Sequence, residues 1–229
     1  MEDTTRQTIF KDKCQWVILN ANEPGDKEEE VILKYVEKYP DNIVYKRLDN
    51  DHGVYDTWNQ AIAMSDGEYI TNINCDDRRA PHALETQAKH LLTKQDVDLV
   101  YNDSYMVTES NLQWEDMSDT TQRYNFDEFS KEAMLRGNLP HNNPMWRRSL
   151  HDSYGTFDTK YRSASDWEFW LRCAFGGAKF KKVNEILGVY YFNPEGVSTN
   201  KETEASKRKE EFEIFKTFQK LFLKLKQET

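Results

Sequence analysis

Two rhythms of apolar and polar positions alternate over the first half of the chain. "CQWVILNA", "NIVYKRL", "EYITNIN" and "VDLVYND" are short apolar runs that read as strands. Between them "KEEEVILKYVEKY", "VYDTWNQAIAMS" and "PHALETQAKHLLTK" carry the spacing of amphipathic helices. Strand and helix in turn predict βαβ units, an α/β class with a mostly parallel sheet flanked by helices. In such sheets ligands bind at the carboxyl ends of the strands.

Beyond residue 103 the alternation fades. "TESNLQWEDMSDTTQRYNFDEF" is a long polar excursion of the kind that supplies lids and binding loops, and it leads into a helix expected over 127–136. In "SASDWEFWLR", Trp167, Trp170, Leu171 and Ala174 commit one helical face to the core, while Ser165 and Glu168 fit a capping box that sets Asp166 in the first turn. "AKFKKV" and "ILGVYYF" predict two further strands. From Lys201 a charged helix carries Phe212, Phe215, Phe218, Phe222 and Leu225 on one stripe. The expected organisation is an α/β domain over 1–200 and an amphipathic helix over 201–229. Packing on the parent domain is the expected fate of the stripe, with docking on a membrane or partner as the competing one.

A length of 229 residues is enough for one sizeable core, and a formal net charge of −9 excludes a protein that wraps nucleic acid, which needs a basic face. Cys14, Cys75 and Cys173 are too scattered for a zinc site or a disulfide framework and read as reduced thiols. No run approaches the roughly 18 apolar residues of a spanning helix, and "MEDTTRQTIF" lacks the regions of a signal peptide. The expectation is a cytoplasmic protein.

Two acidic features carry candidate chemistry. Asp76 and Asp77 follow the "EYITNIN" strand and precede Pro81, which suits the first turn of the next helix. They end the strand either as a turn or as the holders of a charged group, since adjacent acids at a sheet crevice repel each other without a cation or donor nearby. Asp166, in a helix first turn, is favoured there by the macrodipole whether or not it has a chemical role.

Taken together, "DHGVYDTWNQAIAMSDGEYITNINCDDRRAPHALE" and "GNLPHNNPMWRRSLHDSYGTFDTKYRSASDWEFWLR" resemble glycosyltransferase family 2. The resemblance covers roughly residues 14 to 198, with the motifs in the family's order and separations. It implies a GT-A, Rossmann-like fold and inverting transfer of a sugar from a nucleoside-diphosphate donor to an acceptor hydroxyl, with Mn²⁺ or Mg²⁺ at the diphosphate. The DXD-like element falls on Asn74-Cys75-Asp76, with Asn in place of the first acid, and leaves Asp76 and Asp77 to handle ribose and metal. Asp166 aligns with the catalytic base. Its place in a helix first turn predicts a depressed pKa. His141, in "LPHNN", and Asp51 with His52 fall where the family contacts its donor, although Asp51 also reads as a helix start signal. Asp56 and Asn59 are expected to fix loop-helix geometry, and Arg172 to pair with Asp166. Trp146, Trp167 and Trp170 are expected mainly in the core, with a sugar-stacking platform as the other use.

The resemblance also shows departures. The family's usual first strand, with its Pro-Thr-Tyr-Asn-like turn, has no counterpart. "MEDTTRQTIFKDKCQW" resembles the helix that follows it, and "LNANEPGD" offers Asn20, Asn22 and Glu23 instead of an Asp-Gly-Ser turn. A missing central strand leaves neighbouring edges open, which predicts self-association or another element in the gap. The activity implied is surface polysaccharide or glycan synthesis on a glycan or lipid-linked acceptor, at the inner face of a membrane if the acceptor is lipid-linked. The competing reading is a non-catalytic GT-A-like binding domain of a larger glycosylation protein.

Overall fold

The computed structural model describes residues 1–22, 24–196 and 199–228. Two short helices, α1 (Glu2–Thr5) and α2 (Phe10–Lys13), lead into β1 (Trp16–Asn20), then α3 (Lys27–Lys38), β2 (Ile43–Arg47), α4 (Val54–Met64) and β3 (Tyr69–Thr71). There follow β4 (Arg78–Arg79), α5 (Ala83–Thr93), β5 (Leu99–Val107), β6 (Arg123–Tyr124) and α6 (Lys131–Arg136). The last elements are β7 (Met145–Arg147), α7 (Ser149–Tyr154), α8 (Ser165–Gly176), β8 (Phe180–Tyr191) and α9 (Glu204–Glu228).

Local chemistry explains several of these starts. At α3, the Asp26 carboxylate accepts from the Glu29 amide at 2.6 Å, with three acids in the first turn at the positive end of the dipole. Ser130 caps α6 in the same way. Asp51 Oδ1 accepts from the Gly53 amide at 2.7 Å, and Gly53 takes φ 86°, open to a residue without Cβ, to turn the chain into α4.

β5 is the central strand, its first four residues wholly buried. It pairs in parallel with β8 and antiparallel with β7 and β6, giving the order β3-β7-β5-β8-β4 with β6 beside β5. β1 and β2 form a separate parallel pair. Among the described residues, β1 has a ladder partner only in β2, and β3 only in β7. Their other edges border one cleft of about 2240 Å³.

Two boundaries differ from the sequence reading. "AKFKKV" and "ILGVYYF" are one strand, β8, because register shifts beside Asn102–Ser104 absorb extra residues as a bulge instead of ending the ladder. Pro81 does not open a helix directly after the acids: Arg78 and Arg79 first pair with Val189 and Gly188, and α5 starts at Ala83.

The larger core packs Trp146 and Trp170 at 5.0 Å and 68°, with Phe157 and Phe169 around them. Trp167 is buried too and donates its Nε1 hydrogen to Met134 O at 2.8 Å. All three tryptophans are core residues rather than a platform. α9 packs on α6 and α8: Ile214 and Phe218 are buried, and Phe175 meets Phe218 and Phe222 at 5.4 and 6.3 Å. The aromatic stripe is therefore covered, except for Phe212.

Candidate active site

The turn after β3 separates the two acids that the sequence sets side by side. Asp77 is only 6% exposed. Its Oδ2 accepts from Asn74 Nδ2 at 2.8 Å and its Oδ1 from the Tyr191 amide at 3.1 Å. Burial pushes its carboxyl up to about 6, against those two donors. Asp76, at the same cleft, is only half-buried and accepts from Asn193 Nδ2 at 3.2 Å. Both acids border the cleft, but each Asp77 oxygen already accepts a protein donor, so Asp76 is the more open of the two for a cation. Asp77 ties the turn to β8; Asp76 is the less buried of the two acids at the cleft. Beneath the turn, buried Arg79 donates to Asn72 O, its backbone amide donates to Asp3 Oδ2 at 3.1 Å, and burial lowers its guanidinium to about 10.

This division gives a pH prediction. Between about pH 4 and 6 the folded state holds a proton on Asp77 that the unfolded chain has released, so stability falls as pH rises through that window and is level above it. Ionising a carboxyl so placed costs on the order of 3 kcal/mol, at about 1.4 kcal/mol per tenfold in proton affinity. Asp77→Asn keeps an acceptor for the Tyr191 amide and removes that cost. Thermal melts from pH 4 to 8 are expected to show the variant gaining on wild type through the window; a constant difference would contradict the assignment.

Asp166 begins α8. The expected capping box is absent: Ala164 is the cap residue, and Ser165, wholly buried, opens the helix without a side-chain cap bond. The Asp166 carboxylate faces the same cleft, half-buried, and accepts from Tyr55 Oη at 2.9 Å and Asn138 Nδ2 at 2.6 Å. The expected depressed pKa is also corrected. Burial raises it, and the bonds from Tyr55, the Trp167 amide and Asn138 offset that only in part. Each oxygen keeps lone-pair capacity for another donor, so a hydroxyl brought to Asp166 meets a carboxylate of increased basicity.

His141 lines the cleft at φ 47°, stacked on Tyr124 (4.9 Å, 15°) and met edge-on by Tyr190 (4.7 Å, 71°). Burial pushes its imidazolium down to about 4, so the ring is neutral at pH 7. Its amide donates to Asn138 Oδ1 at 3.3 Å, which links it to the Asp166 support. Asp51 reaches the cleft wall as the turn before α4, whereas His52 is exposed and outside the cleft lining, against the expectation that both meet a donor. Asn59 fixes loop geometry as expected, bonding both the amide and carbonyl of Phe157. Asp56 accepts from Gln60 within α4. Arg172 pairs with Glu168 at 2.7 Å, not with Asp166. Asn20 and Asn22 line the cleft; Glu23 lies outside the described residues.

Tyr55, Asn138, Tyr124 and Asn193 escaped the sequence reading. Tyr55 sits on the apolar face of α4, and only folding brings its hydroxyl to a residue 111 positions away. A hard divalent cation takes oxygen ligands and is often held by one or two carboxylates, with substrate phosphates and water completing its shell. Asp76 at the cleft fits that arrangement. Among the described residues no cluster of three or more His, Cys, Asp or Glu makes an all-protein metal cage.

Comparison with known proteins follows the same lines. The sequence model described as glycosyl transferase family 2 matches residues 2–155. The chain is 25% identical over 173 residues to an uncharacterised glycosyltransferase of Methanocaldococcus jannaschii, covering 76% of this chain and 59% of that protein. It is 25% identical over 151 residues to the PGL/p-HBAD biosynthesis glycosyltransferase of Mycobacterium bovis, covering 66% and 55%. S. aureus TarS 1–349 in complex with UDP-GlcNAc superposes with a TM-score of 0.67 at 16% identity, over 87% of this chain and 55% of that one. Mannosyltransferase PcManGT of Pyrobaculum calidifontis, in complex with GDP-Man and Mn²⁺, gives 0.62 at 16% identity, over 85% and 52%. These likenesses establish the GT-A fold, and the chain spans a little over half the length of each of these proteins.

Proposed function

Because the chain belongs to glycosyl transferase family 2, we propose that it moves a sugar from a nucleoside-diphosphate donor to an acceptor hydroxyl with inversion at the anomeric carbon. The observation that carries this reading is a cleft whose lining brings together Asp76, at the turn after β3, and Asp166, held by Tyr55 and Asn138.

In this reading the acceptor oxygen attacks the anomeric carbon from the face opposite the diphosphate. The new C–O bond forms as the bond to the diphosphate oxygen breaks, and the hydroxyl proton passes to Asp166. The Tyr55 and Asn138 bonds orient the carboxylate before substrate arrives, which favours attack-ready geometry. Asp76 would hold Mn²⁺ or Mg²⁺. The cation's chemistry is to neutralise the charge that grows on the leaving diphosphate. Asp77 and Arg79 keep the Asp76 turn in place. Use of a divalent metal is supported by the Mn²⁺ in the mannosyltransferase complex, and a nucleotide-sugar donor by the UDP-GlcNAc bound to TarS. A role in glycan or polysaccharide synthesis is supported by relatives named PGL/p-HBAD biosynthesis glycosyltransferase and chondroitin synthase. No helix among the described residues is long and apolar enough to cross a membrane.

The test is release of nucleoside diphosphate from UDP-, GDP- and dTDP-sugars with Mn²⁺, followed by NMR of the product's anomeric configuration. Inverted product supports the reading. Tight binding without release of any nucleotide would favour the non-catalytic binding domain. Tyr55→Phe adds a finer prediction: losing a donor to the carboxylate raises the Asp166 pKa further, so the acid limb of the kcat profile moves to higher pH. An unmoved limb would contradict the assignment of Asp166 as base.

A further inference from the structure

We infer that the exposed ring of Tyr124 is an acceptor platform, and that the acceptor it takes is a carbohydrate whose pyranose ring lies on it. The inference rests on the transfer reaction proposed above and narrows the acceptor class.

Tyr124 is 40% exposed and borders the cleft. An open aromatic side chain on a loop is ordinarily mobile, and this one is fixed. β6 holds its backbone against Ser104. The Phe126 amide donates to Asp103 Oδ1 at 2.8 Å, Asp103 pairs with Lys182 at 2.9 Å, and Lys182 Nζ donates to Phe126 O at 2.7 Å. Behind the ring, His141 stacks nearly parallel and Phe126 leans on it at 4.8 Å and 41°. One side of Tyr124 is thus backed by a rigid aromatic group, while the side chain remains open to solvent in the cleft.

The platform also lies between the two carboxylates in the bonding network. On one side, His141 bonds Asn138, which bonds Asp166. On the other, His141 packs on Tyr190, the neighbour of Tyr191, whose amide holds Asp77; Asn193, two residues further, holds Asp76. A ring stacked on Tyr124 would share the cleft with Asp166, on a platform tied to the residues that hold both carboxylates. A pyranose has an apolar C–H face and a polar rim, which suits an aromatic surface that keeps its own hydroxyl wet. Because the platform is already fixed, binding costs little ordering of the protein. The neutral His141 ring adds no charge that would select an anionic acceptor.

The test is saturation-transfer NMR with methyl glycosides on the wild type, Tyr124→Ala and Tyr124→Phe, with Mn²⁺-free buffer to avoid broadening, and hydrolysis of the donor to water measured in parallel. The expected result is saturation of the sugar C–H protons in the wild type and Tyr124→Phe, and its loss in Tyr124→Ala. With a turned-over donor, the glycoside KM is expected to rise about tenfold in Tyr124→Ala, while the KM for the donor stays close to wild type. Glycoside binding that survives Tyr124→Ala would overturn the inference. So would a matching rise in the KM for the donor, which would move the ring to the donor site, or simple alkyl alcohols serving as well as glycosides. Donor hydrolysis with no glycoside contact defeats only the platform, whereas glycoside contact without any donor hydrolysis defeats the transfer reading.

Discussion

Asp166→Asn is expected to lower kcat about a thousandfold while leaving nucleotide binding and the melting temperature close to wild type. A positioned general base contributes roughly a hundred to ten-thousandfold, and Asp166 has the features that place it within that range. It lines the cleft, its pKa is raised by burial, and two side chains from other elements fix its orientation. The amide keeps the size of the carboxylate and can still accept from Tyr55, but it cannot take a proton. The residual rate should also lose the acid limb of its pH profile, because the titrating group is gone. Retention of wild-type kcat within tenfold would assign Asp166 a structural place in α8 and leave the base elsewhere.

Asp76→Ala is expected to weaken nucleoside-diphosphate affinity in Mn²⁺ on the order of a hundredfold, about 2.7 kcal/mol, and to have little effect without the metal. The paired control is Asp77→Asn. Asp77 gives both oxygens to Asn74 and Tyr191, so its neutral replacement should keep most of the Mn²⁺ response. Equal loss from the two variants would restore the shared-cation arrangement that the adjacent acids suggest in the sequence. The contrast depends on Asp76 being the less buried of the two acids while Asn74 and Tyr191 hold Asp77, which makes it a direct reading of the turn's geometry.

Much of the fold is legible in the chain because period reports burial. The β1, β2, β3 and β5 runs and the helices between them appear where apolar spacing puts them, and Trp146 and Trp170 fall in the core as their size and spacing suggest. β8 reads as two strands in the sequence because a bulge breaks the alternation without breaking the ladder.

The site was legible in position and less so in chemistry. The strand-end location of Asp76 and the helix-start location of Asp166 follow from local pattern. The sign of the Asp166 shift does not, since the local dipole argument omits the burial that α4 and the Asn138 segment impose. The split between Asp76 and Asp77 likewise depends on Tyr191 and Asn193, more than a hundred residues further along. Tyr124 and Asn138 had no local signal at all, because a tyrosine in a polar loop and an asparagine before a proline-containing turn are common. Their roles arise only when β6 lies against β5 and His141 bonds back to Asn138.

The most direct test of the account is calorimetric titration of UDP, GDP, dTDP and CMP into the wild-type protein, with and without Mn²⁺. One of the nucleoside diphosphates is expected to bind measurably, with Mn²⁺ tightening it at least about tenfold, in the cleft that Asp76 lines. A folded protein that binds none of them with the metal present would contradict it.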